Sequence, residues 1–382
     1  MNRIFFILIL LVCKAEAQTS ALAVADSLYA VGEYEEAIEV LEGVSENSER
    51  IHQSLAKYYS ASGNSEKAIQ HYQQLLKLNP NRLLAAIDYG NLLVRSGKLQ
   101  KGDSLFEALS EKYPETAKFY YQRALIKEKQ EDSTARGFFI KTITLDKFHQ
   151  GALYKIAKEE LENRRYSEAE KLSKQGLEAN PENASLLSIL AQTYSLLKEY
   201  RKAILHYEKL LDLGQKSEFI YSKLGYANYQ IFDYKRAILY YKKALELEDR
   251  NAATHFILGK LYAQTGDLDK SETHLLMAIL IKKQPVDAEF LSLGLTYKLQ
   301  GKHKEALDYF KKALDENPDN QRALYEKAVA ADNYYKDREL VLQHYKNYLR
   351  KYEEQGNPGM LSLTRNRIKD IKKKLHLEAE KP

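Results

Sequence analysis

The sequence is poor in the residues that several common classes of protein depend on. Its 382 residues include one cysteine, no tryptophan, seven prolines and seventeen glycines. A single cysteine excludes a disulfide scaffold, and so few prolines and glycines argue against a β-sandwich with many turns. A mean hydropathy of −0.53 excludes a protein that crosses a membrane many times. A chain with 44% hydrophobic residues is not disordered either, and the composition favours helices.

Charge is balanced everywhere except at the ends of the chain. The 58 basic and 53 acidic residues give a formal charge of +5. Residues 361–382 carry a net charge of +4 and residues 1–17 a net charge of +1, which leaves 49 basic and 49 acidic residues between them. A segment with no net charge lacks the basic surface that binds DNA or RNA. The sequence therefore predicts no nucleic-acid partner.

The first 17 residues have the pattern of a secretory signal peptide. An apolar run of nine residues, from Ile4 to Val12, follows a basic start at Arg3. This run is too short to cross a bilayer, which needs about 20 residues, but it suits the centre of a signal. Ala15 and Ala17 supply the small residues of a cleavage site. We expect export to the periplasm or cell envelope; a buried first helix is the alternative.

Cys13 leaves a second possibility for the start of the mature chain. The segment that ends at Cys13 resembles a bacterial lipoprotein box, in which the cysteine carries a lipid. The residue before that cysteine is normally small, and here it is Val12. Cleavage after Ala17 would also remove Cys13 altogether. The sequence therefore favours a soluble mature form over a lipid anchor at Cys13.

One period of about 34 residues runs through most of the chain. Small residues recur with this period at two positions of each unit, an earlier phase and a later phase. Each phase lies in a segment with helical spacing of apolar residues. The later phase contains Ala37, Ala68, Gly102, Ala135, Ala169, Ala203, Ala237, Ser271 and Ala306. The earlier phase contains Ala56, Gly90, Ala124, Ala157, Ala191, Gly225, Gly259, Gly294 and Ala328. Small residues at fixed positions allow two helices to cross closely, so each period predicts a helical hairpin.

The best-defined period resembles the tetratricopeptide repeat (TPR). Its signature residues are Phe290, Leu293, Gly294, Tyr297, Ala306, Phe310, Ala313 and Pro318. The resemblance extends over about ten units and implies an all-α, right-handed α-solenoid of helix-turn-helix repeats over residues 18–355. Tyr221, His255 and Phe290 stand where the family often has tryptophan. The fourth unit, Ala117–Gln150, departs from the pattern, which predicts either a bend or a boundary between subdomains there.

A basic amphipathic segment follows the repeats. Residues 356–382 begin with a turn and continue with Leu361, Ile368 and Ile371 at helical spacing, with lysines and arginines between them. We interpret this segment as a helix that caps the last repeat, because a repeat array must cover its terminal apolar face. The alternative is a helix that binds an anionic membrane or a partner.

No motif in the sequence points to chemistry. The nine histidines include no His-x-x-x-His pair, and the sequence has neither a glycine-rich phosphate loop nor a Gly-x-Ser-x-Gly motif. The charged pairs on the second helices are typical of solvated faces. We therefore expect no metal site, no cofactor and no enzymatic activity.

The resemblance implies that the first helix of each unit lines a concave groove, with the second, fifth, ninth and twelfth residues of the unit facing inward. By position these are Ile87, Asn91, Tyr121, Tyr154, Lys158, Ser188, Gln192, Ser222, Tyr226, Tyr229, Phe256, Lys260, Leu291 and Tyr325. Such an aromatic and polar surface suits an extended peptide or a partner helix. The alternative is that individual tyrosines only pack between neighbouring repeats.

The expected function is a non-catalytic scaffold that binds a protein or peptide in this groove. One family subtype grips a C-terminal carboxylate with lysine, asparagine and arginine side chains. Here Ile87 replaces the first lysine and Gln122 replaces an asparagine, so the clamp is incomplete. Two alternatives remain open: a glycan-binding protein that stacks sugars on the same aromatic residues, and a structural protein that self-associates through its terminal repeats.

Overall fold

The computed structural model describes residues 21–44, 47–283 and 285–379. All regular secondary structure in these ranges is α-helical, without a β-strand. The signal peptide predicted for residues 1–17, with Cys13, lies outside the described residues.

The described ranges contain twenty-one successive helices. They are α1 (residues 21–31), α2 (Tyr34–Glu42), α3 (Glu49–Ala61), α4 (Ser65–Leu78), α5 (Leu83–Arg95), α6 (Leu99–Lys112), α7 (Ala117–Lys129), α8 (Ala135–Leu145), α9 (Gln150–Glu162), α10 (Tyr166–Ala179), α11 (Ala184–Leu196), α12 (Tyr200–Asp212), α13 (Glu218–Gln230), α14 (Tyr234–Leu247), α15 (Ala252–Thr265), α16 (Leu268–Ile281), α17 (Asp287–Leu299), α18 (His303–Glu316), α19 (Gln321–Tyr334), α20 (Arg338–Tyr352) and α21 (Pro358–Ala379).

Helices α1–α20 form ten consecutive hairpins, numbered here as repeats 1 to 10, and α21 follows the last. Polar side chains begin many of the helices: the Ser217 hydroxyl accepts from the Ile220 amide at 3.3 Å, and Asp233 accepts from the Arg236 amide at 3.0 Å. The predicted all-α tandem-repeat fold is confirmed.

The apolar core is shared between repeats. One buried cluster contains Leu275 of α16, Leu293 of α17, Phe310 of α18 and Ala331 of α19, so it draws on three repeats. The hydroxyls of Ser271 and Thr296, which lie in repeats 8 and 9, are 3.0 Å apart inside it. The apolar side of each repeat in this cluster is therefore covered by a neighbouring repeat.

The chain divides into two compact units, the first ending at Asn183 and the second beginning at Ala184. The first contains repeats 1–5, and the second contains repeats 6–10 and α21. This division lies beyond Ala117–Gln150, the irregular fourth repeat for which the sequence left a bend and a subdomain boundary open.

The unusual charges of the fourth repeat are paired with a neighbouring repeat. Arg123 and Lys127 occupy positions where other repeats have Leu and Tyr, and both contact Asp103 of α6, at 3.0 and 2.9 Å. The Arg123 guanidinium also lies 4.5 Å from the centre of the Phe138 ring. The hydrogen bond to Asp103 raises the pKa of Lys127. A partly buried ion cluster thus replaces apolar contacts without breaking the array.

The turn inside repeats 1 to 9 has a left-handed backbone at one position. Glycine fills it in repeats 1, 2, 3, 8 and 9, with φ between +75° and +93° at Gly32, Gly63, Gly97, Gly266 and Gly301. Repeats 4 to 7 use Glu131, Arg164, Lys198 and Phe232 there, with φ between +56° and +63°. A left-handed backbone costs a non-glycine residue about 1–2 kcal/mol, so repeats 4 to 7 are strained at this turn.

The two helices of a hairpin approach most closely at the small residue that the sequence places in the earlier phase. A Cβ atom at Gly294 would lie 2.6 Å from Cε1 of Phe310, and one at Gly90 would lie 2.6 Å from Cζ of Phe106. Both rings are fully buried. Glycine at this position therefore makes room for the aromatic ring of the second helix.

Repeat 8 contains a pair of histidines in direct contact. The Nδ1 atoms of His255 and His274 are 3.0 Å apart, and Tyr262 stacks on His274 with ring centres separated by 5.4 Å. His255 Nε2 lies 3.1 Å from the Asp249 carbonyl, an acceptor, so a neutral His255 carries its proton there. The unprotonated Nδ1 atom of His255 then accepts a hydrogen bond from His274. Burial lowers the pKa of His274 to about 4, and the charges of His255 and Lys242 act in the same direction.

Repeat 2 contains a second histidine pair with nearly the same contacts. The Nδ1 atoms of His52 and His71 are 2.9 Å apart, and Tyr59 stacks on His71 at 5.5 Å. His52 Nε2 again meets an oxygen, here Oδ1 of Asn47. Burial lowers the pKa of both His52 and His71. Each pair thus links the two helices of its hairpin through a hydrogen bond between imidazole rings.

The last helix, α21, lies on repeat 10. Ile368 and Ile371 belong to a buried cluster with Ala328 of α19 and Val341 and Tyr345 of α20. Across the described ranges, no helix is both long and apolar enough to cross a membrane.

We expect Gly294→Ala to destabilise the protein. The added methyl group would overlap the Phe310 ring, and overpacking of this kind costs about 1–3 kcal/mol. Gly137→Ala is the matched control, because Gly137 also lies inside a helix but has no atom within 4 Å of its missing Cβ. That variant should gain about 0.5–1 kcal/mol from helix propensity. Urea unfolding followed by circular dichroism measures both, and stabilisation by Gly294→Ala would contradict the packing described here.

We expect the histidine pairs to make stability pH-dependent. Imidazoles of the unfolded chain take up protons near pH 6.5, but folded His274 does so only near 4, so stability falls as the pH drops through this window. The double variant His255→Phe with His274→Tyr keeps two rings in contact, as Phe290 and Tyr309 do in repeat 9.

Between pH 7 and pH 4.5, this variant should lose about 1–2 kcal/mol less unfolding free energy than the wild type. Urea midpoints at the two pH values give the comparison. Equal losses in the two proteins would show that the pair does not titrate as described.

Candidate partner-binding face

In the first compact unit, the first helices of repeats 2, 3 and 4 border an open cleft of about 720 Å³. Its lining is mostly polar and includes Lys57, Asn91, Arg95 and Gln122. Asn91 is a residue that the sequence analysis assigned to the groove. Lys57 and Arg95 were not assigned, although Lys57 occupies the same position in repeat 2 as Asn91 does in repeat 3.

The cleft has a cationic lining. The Lys57 ammonium lies 4.3 Å from the centre of the Tyr29 ring, and the Arg95 guanidinium is 3.5 Å from the Ser60 hydroxyl. Asp88 is the one acidic residue among the residues that line it. Two cations, one carboxylate and neutral amides can hydrogen-bond a peptide backbone and attract an acidic side chain.

Ile87 does not belong to the exposed face. Its side chain is only 7% exposed and packs in a cluster with Phe106 and Phe119. The prediction that Ile87 contacts a partner is therefore wrong. Its position in the repeat faces inward, but the neighbouring repeat covers the side chain.

Three more predicted residues lie on repeats 4 and 5. Tyr121 packs between repeats, with its ring centre 4.4 Å from that of His149 and 5.9 Å from that of Phe139. Burial raises the pKa of Tyr121. Tyr154 is half-buried, and Lys158 is exposed, with its ammonium 3.7 Å from Glu162. Tyr121 thus follows the packing alternative, whereas Lys158 remains accessible.

In the second compact unit, repeats 6 and 7 place small polar groups on the predicted face. The Gln192 amide donates to the carbonyl and the hydroxyl of Ser188, both at 3.2 Å. Ser222 donates to Glu218 at 2.5 Å. All three predicted residues are half-buried, and their polar groups are already engaged within their own helices.

The predicted residues of repeats 8 to 10 are mixed in exposure. Lys260 is exposed, and its ammonium lies 5.5 Å from the centre of the half-buried Phe256 ring. Leu291 is half-buried against the core cluster of its repeat. Tyr325 is half-buried and contacts Tyr348 edge to face at 5.5 Å, and burial raises the pKa of Tyr325.

Repeat 7 exposes several large aromatic side chains, which we call the aromatic ridge. It consists of Phe219, Tyr226, Tyr229 and Phe232, with Tyr200 and Tyr234 in ring contact with it. Tyr226 and Tyr229 are 40% and 37% exposed, and Phe219 is 40% exposed. The spacing of seven and three residues along α13 puts these three on one side of the helix. Such rings supply large contact areas at little entropic cost.

Phe232 is the most unusual residue of the ridge. Its side chain is 78% exposed, and its backbone has φ of +63° at the turn position where five other repeats have glycine. A bulky residue rarely adopts this conformation. Phe232 was not predicted as a site residue, although an aromatic residue in place of the turn glycine is visible in the sequence. A phenylalanine this exposed adds little to the core, which points to a role outside folding.

Within the described ranges, no three His, Cys, Asp or Glu side chains come together in a group that could hold a metal ion. Tandem helical hairpins with an open inner face define the class of α-helical repeat proteins.

Family models place the chain more narrowly. Three models of the tetratricopeptide repeat match it, one over residues 288–320, a second over residues 59–126 and 232–293, and a third over residues 154–218. Together these matches span more than half of the chain. The chain belongs to the tetratricopeptide repeat family, as the sequence predicted.

Solved structures of the same kind resemble parts of the chain. YrrB, described as a TPR protein with an unusual peptide-binding site, is 23% identical over 50% of this chain and 97% of its own, with a TM-score of 0.47. MamA is 29% identical over 44% of this chain and 94% of its own, with a TM-score of 0.42. Yeast Tom70 is 12% identical over 96% of this chain and 98% of its own, with a TM-score of 0.41. No curated protein matches the chain.

Proposed function

We propose that the protein is a non-catalytic scaffold, exported to the cell envelope, that binds a protein or peptide partner on the inner face of its repeats. The observation that carries the proposal is the aromatic ridge of repeat 7, with Phe232 exposed at a strained turn. Exposed clusters of large aromatic residues are typical of interaction sites, where a few rings supply most of the binding energy. Export rests on the signal pattern of residues 1–17.

The polar cleft of the first compact unit offers a second type of contact. Lys57 and Arg95 suit acidic or backbone carbonyl groups, whereas the aromatic ridge suits apolar side chains. Each compact unit thus offers its own kind of contact.

The test separates binding from stability at Phe232. The partner is first isolated by cross-linking to the full chain in its native host, and its affinity is then measured for each variant. Phe232→Gly should raise the melting temperature, because glycine relieves the left-handed strain, but it should weaken binding about tenfold or more. Lys198→Gly is the matched control: it removes the same strain in repeat 6 and should leave binding unchanged.

A second variant tests the inner face itself. Tyr226→Ala combined with Phe256→Ala should also weaken binding while the protein remains folded, since both side chains are partly exposed. Full affinity in this variant and in Phe232→Gly would overturn the proposal. Saturable binding of a polysaccharide that Tyr226→Ala abolishes would instead support a glycan-binding function.

A further inference from the structure

Helix α21 is held on repeat 10 by one side only. Leu361, Thr364, Ile368 and Ile371 face inward and are at most 9% exposed. Their spacing of three and four residues defines a single buried stripe. The other side of the helix therefore faces solvent in a fixed orientation.

Two ion pairs at the edges of α21 fix it further. Arg367 binds Asp332 of α19 through two hydrogen bonds, at 2.6 and 2.8 Å, and Glu378 pairs with Arg338 of α20. Hydrogen bonding to Asp332 raises the pKa of Arg367. These contacts neutralise some of the charge of α21 and attach the helix to its repeat.

The remaining positive charges of α21 have no such partners. Lys369, Lys372, Lys373 and Lys374 are exposed, and none is in an ion pair with a carboxylate of the described residues. Arg365, one turn before Lys369, is 3.8 Å from Glu353 and 54% exposed. Capping the last repeat explains the buried stripe but does not explain this concentration of unpaired lysines.

We call Arg365, Lys369, Lys372 and Lys373 the basic row. Their spacing of four, three and one residues places them on one side of the helix, over a length of about 12 Å. Asp370 is the one acidic residue between the ends of the row. Because the buried stripe fixes the helix, the four cations are presented together and do not need to be ordered on binding.

We propose that the basic row docks the protein onto a bilayer of anionic phospholipids. A row of exposed cations on a convex helix fits an extended plane of headgroups, which needs neither a pocket nor a fixed geometry for each phosphate. Each lysine held near an anionic bilayer adds a severalfold increase in binding. The neutral charge of residues 18–360 disfavours a nucleic acid, which would require a larger basic surface. This inference does not depend on the proposed partner-binding function.

The test uses co-sedimentation of the full chain with vesicles. Vesicles of phosphatidylglycerol and phosphatidylcholine are compared with vesicles of phosphatidylcholine alone, in 50 mM and 500 mM salt. We expect binding to the anionic vesicles only, and its loss at high salt. Lys372→Glu with Lys373→Glu should reduce the partition coefficient about tenfold or more.

The control carries the same change in net charge at a distant site. Lys77→Glu with Lys101→Glu alters two exposed lysines of repeats 2 and 3 and should leave binding nearly unchanged. Residues 4–12 are apolar, so any binding that they cause would persist in neutral vesicles and at high salt. Circular dichroism verifies that each variant is folded.

Three results would overturn the proposal. One is equal binding to neutral and anionic vesicles, and another is an equal loss in the α21 variant and the control. The third is salt-dependent binding to polyglutamate, lost in the α21 variant, without any binding to anionic vesicles. That last result would assign the basic row to an acidic protein partner.

Discussion

Every hairpin of this chain leaves an apolar side that only its neighbour can cover, and the rest of the structure follows from that constraint. The cluster that joins Leu275, Leu293, Phe310 and Ala331 belongs to three repeats at once. Close stacking is possible because the helices within a hairpin can approach each other, and Gly294 leaves the space that the Phe310 ring fills. Folding energy in such an array comes from interfaces between neighbours as much as from each repeat. A terminal repeat needs the same cover, and α21 supplies it.

Stacking fixes one side of each first helix and leaves the other side free to vary. In the first compact unit, that free side carries Lys57, Asn91 and Arg95, which suit polar and acidic groups. In the second, it carries Phe219, Tyr226 and Tyr229, which suit apolar groups. Repeats with the same backbone arrangement thus present a polar surface in the first unit and an aromatic surface in the second. Because packing fixes only the buried side, the free side can carry a binding surface without changing the fold.

The period of 34 residues predicted the helices and their pairing well, because small residues recur where the two helices of a hairpin cross. It could not predict how far a neighbour covers a given side chain: Ile87 has the position of an exposed residue but is buried, and Tyr121 packs between repeats. Nor did it anticipate that Asp103 would pair with Arg123 and Lys127, since pairing across repeats depends on three-dimensional contact. The export prediction for residues 1–17 concerns a segment outside the described residues and stays a prediction.

The dependence of each hairpin on its neighbours is open to one direct measurement. A fragment of residues 287–320, which contains repeat 9 with its full set of signature residues, is compared with the full chain by circular dichroism during urea unfolding. An isolated hairpin exposes the apolar surfaces that repeats 8 and 10 would cover, and short helices are marginal in water. The account predicts little helix and no cooperative transition in the fragment. A fragment that is fully helical and unfolds cooperatively by itself would contradict it.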